Sequence, residues 1–387
     1  MYERVIEVFT KNGEDNIYAT LIFQPKEVCF LIDQNDASAK AQFLNTAAFL
    51  KQKVEGIHVT CREIDFKKIL VIDDDLKAIL NDAILDLGGG EDRIKIPLLN
   101  YFLTNHLAVC YFDMENETLM MMNTDESMKQ LELPELTLAD IIQLAGGELY
   151  LLKAQDLPLQ SDHHKKIMKI ALHNIKSWNN FSDYLSYVFS HYANESLGVE
   201  KAPMKIRDVN GHMRMCDKNI FSQLTIQGIL KNVYMKNNQV SFEVSDNSIL
   251  NLLTRVGDIL EEHIYFEFVQ SKCFDEVVLS AKIDWSNNLK YAIKVENEID
   301  LIARKGRQIF FISCKSGSLK NENIHEIVLM AQRFGTAECV PVLATMDILE
   351  ENGEVLKERC RYMNCLLIDG KDIEKKRVMR CMKTRFK

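Results

Sequence analysis

The sequence predicts a two-domain α/β protein: a Rossmann-like domain with a parallel sheet, a helical connector, and a second α/β domain with a mixed sheet. Three observations carry this expectation. Short apolar runs alternate with helix-period segments over the first 125 or so residues. The pattern then turns almost wholly helical between 135 and 200. Strands return from about 203, and ENEIDLIARKGRQIFFISCKSG (296–317) reads as two apolar strands joined by a short basic turn. A chain of 387 residues is too long for one small core. The boundaries drawn from these changes are 1–135, 136–202 and 203–387.

RVIEVF (4–9) and VCFLID (28–33) are short runs rich in Val, Ile and Phe, the composition of buried strands. SAKAQFLNTAAFLKQK (38–53) has helical spacing and stops before Gly56, and IHVTCREID (57–65) is strand-like. LKAILNDA (76–83) is helical, and ILDL (84–87) is a strand running into Gly88-Gly89-Gly90. RIKIPLLNYFLT (93–104) is a helix and LAVCYFD (107–113) a strand, and LMMMN (119–123) is strand core. Such alternation implies a doubly wound parallel sheet, whose ligands bind at the carboxyl ends of the strands.

The connector contains LADIIQLAGGEL and the long stretch 163–196, both with apolar residues at helical spacing. LTIQGILKNVYMKNNQVSFEVSD (224–246) reads as strand, polar turn and strand, and LLTRVGDILEEHIYFEFVQS (252–271) as one helix. DEVVLSAKIDW (275–285), the two strands of 296–317, a helix at 325–335 and CVPVLATM (339–346) complete the second domain.

Composition is that of an ordinary globular chain, with 47% hydrophobic and 27% charged residues, which argues against a disordered or repeat protein. The ten Cys contain no CxxC pair, the nearest two being Cys360 and Cys365, so a disulfide framework or zinc ribbon is not expected. MYERVIEVFTKNGEDN lacks an apolar signal core and no run approaches membrane-spanning length, so the expectation is a cytoplasmic protein with no membrane partner. Residues 1–200 hold 18 Lys+Arg against 31 Asp+Glu, a balance of −13, and residues 201–387 hold 29 against 25, a balance of +4. The tail KKRVMRCMKTRFK (375–387) carries seven basic residues and no acidic one. The C-terminal half is thus the better suited to a polyanion, although a basic terminal helix can equally be a solvated face.

Glu298 and Asp300 are two apart on a strand and share a face, and a hairpin would return Lys315 beside them. Two carboxylates and an ammonium in a sheet are costly without a partner, and a divalent cation is the natural one. Carboxylates with backbone carbonyls make a hard oxygen site for Mg²⁺ or Mn²⁺. Lys315 would then orient or deprotonate a water, or stabilise charge on a phosphoryl group. Glu261 or Glu262, near the middle of the preceding helix, is a further acid in reach. The simpler alternative is a salt bridge between Asp300 and Lys315 at a strand end.

In LDLGGGEDRIK (85–95), backbone amides of Gly88, Gly89 and Gly90 at a strand-to-helix turn would cradle phosphate, with Arg93 or Lys95 adding charge. The alternative is a tight turn and nothing more. Thr10, Lys11 and Asn12 follow the first strand and would open on the same rim of the sheet.

The order helix-Glu, strand, Glu-x-Asp, turn, strand ending in Lys, helix resembles the PD-(D/E)XK nuclease fold, with Glu261, Asp300 and Lys315 at its motif positions. The family's acid two before the lysine is Ser313 here, and Glu298 is the residue that would supply the missing charge. Over nearly the whole chain the layout is similar to the CARF (CRISPR-associated Rossmann fold) effector nucleases of type III CRISPR immunity. The resemblance rests on Gly257 to Glu262, NEID (297–300), CKSG (314–317) and LLIDGKD (366–372). It implies a homodimer that binds a cyclic oligoadenylate, often the tetra-adenylate, across two CARF domains. That ligand would switch on metal-dependent cleavage of DNA, RNA or both. The family's Thr-Gly-Gly-Thr-Lys is replaced by Gly88-Gly89-Gly90-Glu91-Asp92-Arg93.

The implied metal set is Glu261, Glu298 and Asp300 with the Cys314 carbonyl. Arg304, Lys305, Arg307 and Lys320 would hold the nucleic-acid backbone. Two rival readings stay open: a repair- or restriction-type nuclease with another regulator, and a nucleotide-sensing adaptor with a degenerate nuclease fold. His163 and His164 are expected on a solvated helix face, and His263 in packing.

Overall fold

The computed structural model describes residues 2–10, 13–68, 70–113, 116, 118–122, 127–152, 162–208, 211–255, 257–285, 296–317, 319–334, 339–349 and 353–386. Lys11 and Asn12 lie outside the described residues. The chain forms two compact units, residues 1–150 with 283–297 and 333–336, and residues 151–282 with 298–332 and 337–387.

The first unit contains β1 (Arg4–Val8), α1 (Tyr18–Phe23), β2 (Glu27–Asp33), α2 (Ala37–Lys53), β3 (His58–Ile64), α3 (Asp74–Leu80), β4 (Ala83–Asp86), α4 (Asp92–Thr104), β5 (Val109–Asp113), β6 (Thr118–Met122), β7 (Met128–Glu132) and α5 (Leu138–Leu144). Its sheet runs β3-β2-β1-β4-β5-β6-β7. The first five strands are parallel, as the alternating pattern predicts, and β6 and β7 are added antiparallel. Side-chain caps fix the helix starts. Asp36 accepts the amides of Ser38 and Ala39, Asp73 that of Leu76, and Thr137 with Asp140 forms a capping box.

Pro97 sits inside α4 and leaves the Arg93 carbonyl without its helical donor. That carbonyl takes the Leu70 amide at 3.5 Å. Ile6, Val8, Leu31, Leu85, Leu98 and Phe102 fill the core on one face of the sheet. Glu7 and Phe30 point to the other face, where Phe30 meets Phe43 of α2.

After β8 (Glu148–Leu151) come α6 (Asp162–His173), α7 (Ile175–Tyr192), β9 (Gly198–Pro203), β10 (Lys205–Arg207), β11 (Met213–Met215), α8 (Lys218–Ile226), β12 (Leu230–Lys236), β13 (Gln239–Val244), α9 (Asn247–Thr254) and α10 (Asp258–Ser271). They are followed by β14 (Glu276–Asp284), β15 (Glu296–Lys305), β16 (Gln308–Lys315), α11 (Asn321–Arg333), β17 (Cys339–Thr345), α12 (Glu354–Tyr362), β18 (Leu366–Ile368), α13 (Gly370–Glu374) and α14 (Val378–Lys383). The sheet order β18-β17-β16-β15-β14 is mixed, with β15–β16 antiparallel and β16–β17–β18 parallel. The hairpin β12–β13 turns on Asn237 and Asn238, both at positive φ, as a two-residue hairpin loop requires.

Two expectations for this half are corrected. Leu224 to Ile226 end the helix α8 and do not start a strand, because Asp217 caps that helix and Gly228 closes it at φ +71°. The helix read across 252–271 is two helices, since Arg255 is extended (φ −102°, ψ 106°) and Gly257 stands at φ +109°. No helix among the described residues is long and apolar enough to cross a membrane.

Candidate active site

The break between α9 and α10 shapes the site. It places Glu261 in the first turn of α10 and not at its middle, and it frees Arg255 from helical geometry. Arg255, Asp258, Glu261, Ser280, Glu298, Ile299, Asp300 and Leu152 together line a cavity of about 300 Å³. Glu261, Glu298 and Asp300 are therefore brought to one cavity. Asp258, Arg255 and Ser280 are additions that the sequence reading missed. Gly257 followed by Asp258 was the available signal, since glycine before an acid is a helix-start pattern.

Asp300 is the most constrained of these groups. The β15–β16 ladder runs from Lys305–Gln308 to Leu301–Ile312. Beyond it the Cys314 amide donates to Asp300 Oδ2 at 2.5 Å, and Ser313 Oγ donates to the same oxygen at 3.3 Å. Burial raises the Asp300 carboxyl above its ordinary range, against the Cys314 amide, the Lys315 charge and the Ser313 hydroxyl, all of which favour the carboxylate, while Glu298 adds to the rise. Ser313 thus acts on the aspartate itself. Ser280 Oγ donates to Glu261 Oε2 at 3.4 Å, and Glu298 is exposed. Lys315 closes β16 half-buried; its charge acts on Asp300, but it is not among the cavity-lining residues.

Hard oxygen donors, excess negative charge and room fit a divalent cation in chemistry. As they stand, no three His, Cys, Asp or Glu side chains among the described residues are grouped closely enough to hold one.

The basic residues of the hairpin turn are elsewhere. Lys305 lies five residues along β15 from Asp300, about 17 Å at roughly 3.3 Å per residue. Arg304 is 6% exposed, with Nε donating to Glu276 Oε1 at 2.8 Å and Nη1 at 3.5 Å from Asp275 Oδ2. Its charge is satisfied inside the fold, which corrects its expected role on a nucleic-acid surface. Lys305 Nζ lies 5.4 Å from the centre of the Phe386 ring, and Arg307 is half-buried. Lys320 alone of the four is exposed, at the start of α11. The histidines divide differently from expectation. His164 is buried, stacked on His263 (ring centres 6.3 Å apart) and edge-on to Phe266. Burial lowers the pair to about 3 and about 4.

In the first unit, β1 lies between β2 and β4, so the strand order reverses at β1 and β4. The crevice at their carboxyl ends is where open α/β sheets bind ligands. Thr10 and the Gly88–Gly90 loop meet there. A Cβ on Gly89 would lie 2.7 Å from the Val8 carbonyl and 2.8 Å from Thr10 Cγ2, and one on Gly90 (φ +82°) would lie 2.0 Å from Val8 Cγ1. Thr10 is tied to Asn16 by two hydrogen bonds of 2.9 and 2.7 Å. Arg93 is exposed and its Nη1 donates to the Lys67 carbonyl, while Lys95 Nζ is 3.5 Å from Asp92.

Beneath the crevice, Glu7, Asp86 and Cys110 face one another at one register across three strands, all buried. Thr20 Oγ1 donates to Glu7 Oε1 at 2.9 Å and the Gly88 amide to Asp86 Oδ1 at 2.8 Å. Burial, then the Asp86 charge, holds the Glu7 carboxyl well above its usual range. Burial pushes Asp86 up to about 7.

No family model and no curated protein sequence matches the chain. Solved structures do. Can2 from Sulfobacillus thermosulfidooxidans, in complex with cyclic tetra-adenylate, is similar over 99% of this chain and 97% of its own, with a TM-score of 0.68 at 13% identity. The protein VC1899 from Vibrio cholerae is similar over 98% of this chain and 97% of its own, with a TM-score of 0.67 at 12% identity. The chain shares the fold of Can2. That sharing extends across both units, so the α/β architecture read from the sequence stands for the whole chain.

Proposed function

We propose that the protein is a metal-dependent endonuclease of type III CRISPR defence, activated by a cyclic oligoadenylate. The observation that carries this reading is the cavity of the second unit. Glu261 from a helix start and Glu298 with Asp300 from the central strand line it together, next to Lys315, in a chain that shares its fold with cyclic-tetra-adenylate-bound Can2. Glu261, Asp300 and Glu298, with the Cys314 carbonyl, are the residues that would hold Mn²⁺ or Mg²⁺. A bound divalent ion supplies positive charge that polarises a water and a phosphoryl oxygen.

The chain's own residues do the rest. The Cys314 amide and the Ser313 hydroxyl fix the Asp300 carboxylate. Lys315 orients the water or stabilises charge on the scissile phosphate. Arg255 at the cavity wall, whose Nη1 lies 3.9 Å from Asp258 Oδ2, is the guanidinium that would bind a phosphate oxygen once a cation neutralises the carboxylates. Lys320 holds backbone phosphate, which makes binding salt-dependent and largely blind to sequence. The switch-point crevice, with Thr10, Lys11, Asn12, Gly88, Gly89, Gly90, Arg93 and Lys95, takes the cyclic oligoadenylate across a homodimer in the cytoplasm.

A second reading, the adaptor, is favoured by two observations: the acid position holds Ser313, and among the described residues the carboxylates that line the cavity are not grouped closely enough to hold a metal as they stand. One assay separates the two. Supercoiled plasmid, single-stranded DNA and single-stranded RNA are incubated with Mn²⁺, with and without cyclic tetra- or hexa-adenylate, beside Lys315→Ala. Cleavage with one ring, abolished by the substitution, supports the nuclease. Tight ring binding without any cleavage supports the adaptor, and equal cleavage without a ring removes the allosteric activation.

A further inference from the structure

The two cysteines nearest in sequence are also a built pair. α12 ends in a paired-hydrogen-bond cap. The Cys365 amide donates to the Cys360 carbonyl at 2.8 Å, and the Asn364 amide donates to the Arg361 carbonyl at 3.1 Å. Asn364 stands between them at φ 53°. This is the Schellman arrangement, in which the residue after the left-handed position usually makes an apolar contact with the residue five before it. Here both contact positions are cysteine, and both thiols are buried. A simple packing role would need nothing more, since cysteine behaves as a small hydrophobe.

The surroundings add something that packing does not use. Cys360 and Cys365 both line a cavity of about 240 Å³, far larger than the roughly 30 Å³ share of a water molecule. Lys357, Arg361 and Arg385 line the same cavity together with Asp369 and Asp372, and Arg361 is exposed at its rim. A small neutral oxidant therefore has a route to two adjacent thiols, whose surroundings hold three cationic side chains against two carboxylates.

We propose that Cys360 and Cys365 are a reactive dithiol, a modification site at which a peroxide-class oxidant forms a reversible disulfide. The Cys360 thiolate attacks one peroxide oxygen and breaks the O–O bond, giving a sulfenic acid and releasing hydroxide. The Cys365 thiol then attacks the sulfenic sulfur, an S–S bond forms, and the hydroxyl leaves with the thiol proton as water. In total, two thiols are oxidised and one peroxide is reduced to two waters. The roles follow from the Cys365 thiol, whose Sγ donates to the Leu366 carbonyl at 3.7 Å and is thereby held as the thiol, leaving Cys360 to attack; the interaction of the two side chains acts the same way, lowering the Cys360 thiol and raising that of Cys365. In a reducing compartment such a pair rests as thiols and closes only under oxidative load.

The test is peptide mapping of the intact chain after hydrogen peroxide, with free thiols alkylated under denaturing conditions. Trypsin separates Cys360 (peptide 360–361) from Cys365 (peptide 362–371). The expected product is these two peptides joined, two hydrogens lighter than their sum and separated again by dithiothreitol. In Cys365→Ala, dimedone should trap a sulfenic acid on Cys360. In Cys360→Ala, Cys365 should label at least about tenfold more slowly. The exposed Cys61 is the internal control. Oxidation of Cys61 with both peptides recovered separately and alkylated would overturn the proposal, without any need for the variants to fold.

Discussion

Each unit gathers carboxylates at a sheet, and the two gatherings are built for different occupants. Glu7 and Asp86 lie under α1 at one register of a parallel sheet, 2% and 3% exposed. Glu261, Glu298 and Asp300 line a cavity in the second unit, and Glu298 reaches solvent. In the first group both acids are pushed toward the protonated form, so a proton answers the crowding. In the second, a cavity of about 300 Å³ and an exposed Glu298 leave room for the proposed cation. Acid clustering alone does not mark a metal centre. The space beside the acids decides what neutralises them.

Four experiments test that contrast. The largest effect is expected for Asp300→Asn, which keeps an acceptor for the Cys314 amide and removes the charge. Plasmid cleavage should fall about 10³-fold or more, while the melting temperature holds or rises. A parallel loss of fold would mean the residue is structural.

Mn²⁺ is the second test. At about a hundred times its dissociation constant it should stabilise wild type by roughly 2.7 kcal/mol, several degrees in melting temperature. The shift should vanish in Asp300→Asn and in Glu261→Gln. An equal shift in Asp86→Asn is expected, because the closed pair has no part in it.

The third test is pH. The Asp86 pKa rises from 3.8 to about 7 on folding, so the folded state holds the proton more tightly. The stability this contributes is full below pH 3.8 and is lost as pH rises through about 7. Wild type should melt lower at pH 8 than at pH 6. Asp86→Asn should flatten that difference and raise the melting point most at pH 8, by an amount on the order of 1–3 kcal/mol. An unchanged pH slope would show that the pair is not protonated.

Arg255→Ala is the smallest. It should lower kcat/KM about tenfold, roughly 1.4 kcal/mol, without disturbing Mn²⁺ binding. A change in Mn²⁺ binding instead would move Arg255 from substrate to metal.

The strands of the first unit were legible because a buried parallel strand is a continuous apolar run, as in VCFLID. The short α1 and the polar β7 left no such mark. The cavity was half legible. Glu298 and Asp300 share a face by strand period, Glu261 or Glu262 was an acid in reach on the preceding helix, and the family resemblance selected Glu261 of the two. Arg255 and Asp258 were hidden because apolar periodicity runs unbroken across Leu252–Ile264, and only Gly257 betrays the break. The basic turn was misplaced for a reason available in the sequence. A hairpin turn lies at the far end of its strands from their free ends, so charge near Lys305 could not reach acids near Glu298. Burial of Arg304 was not readable, because the partners Glu276 and Asp275 come from another strand and its approach.

The contact of Gly89 and Gly90 with Val8 and Thr10 bears on the entropy of ligand capture. The two loop segments touch so closely that neither glycine has room for a methyl group. Packed this closely, the two segments are ordered against each other in the folded domain, and the cost of ordering them is met when the domain folds. A ligand settling at the crevice is spared the penalty of freezing two independent loops, a penalty of about 0.5–1.5 kcal/mol for each mobile side chain held. Calorimetry at this rim should therefore record a smaller entropic loss than an unconstrained pair of loops would give, and enlarging Gly89 to alanine should bring that loss back.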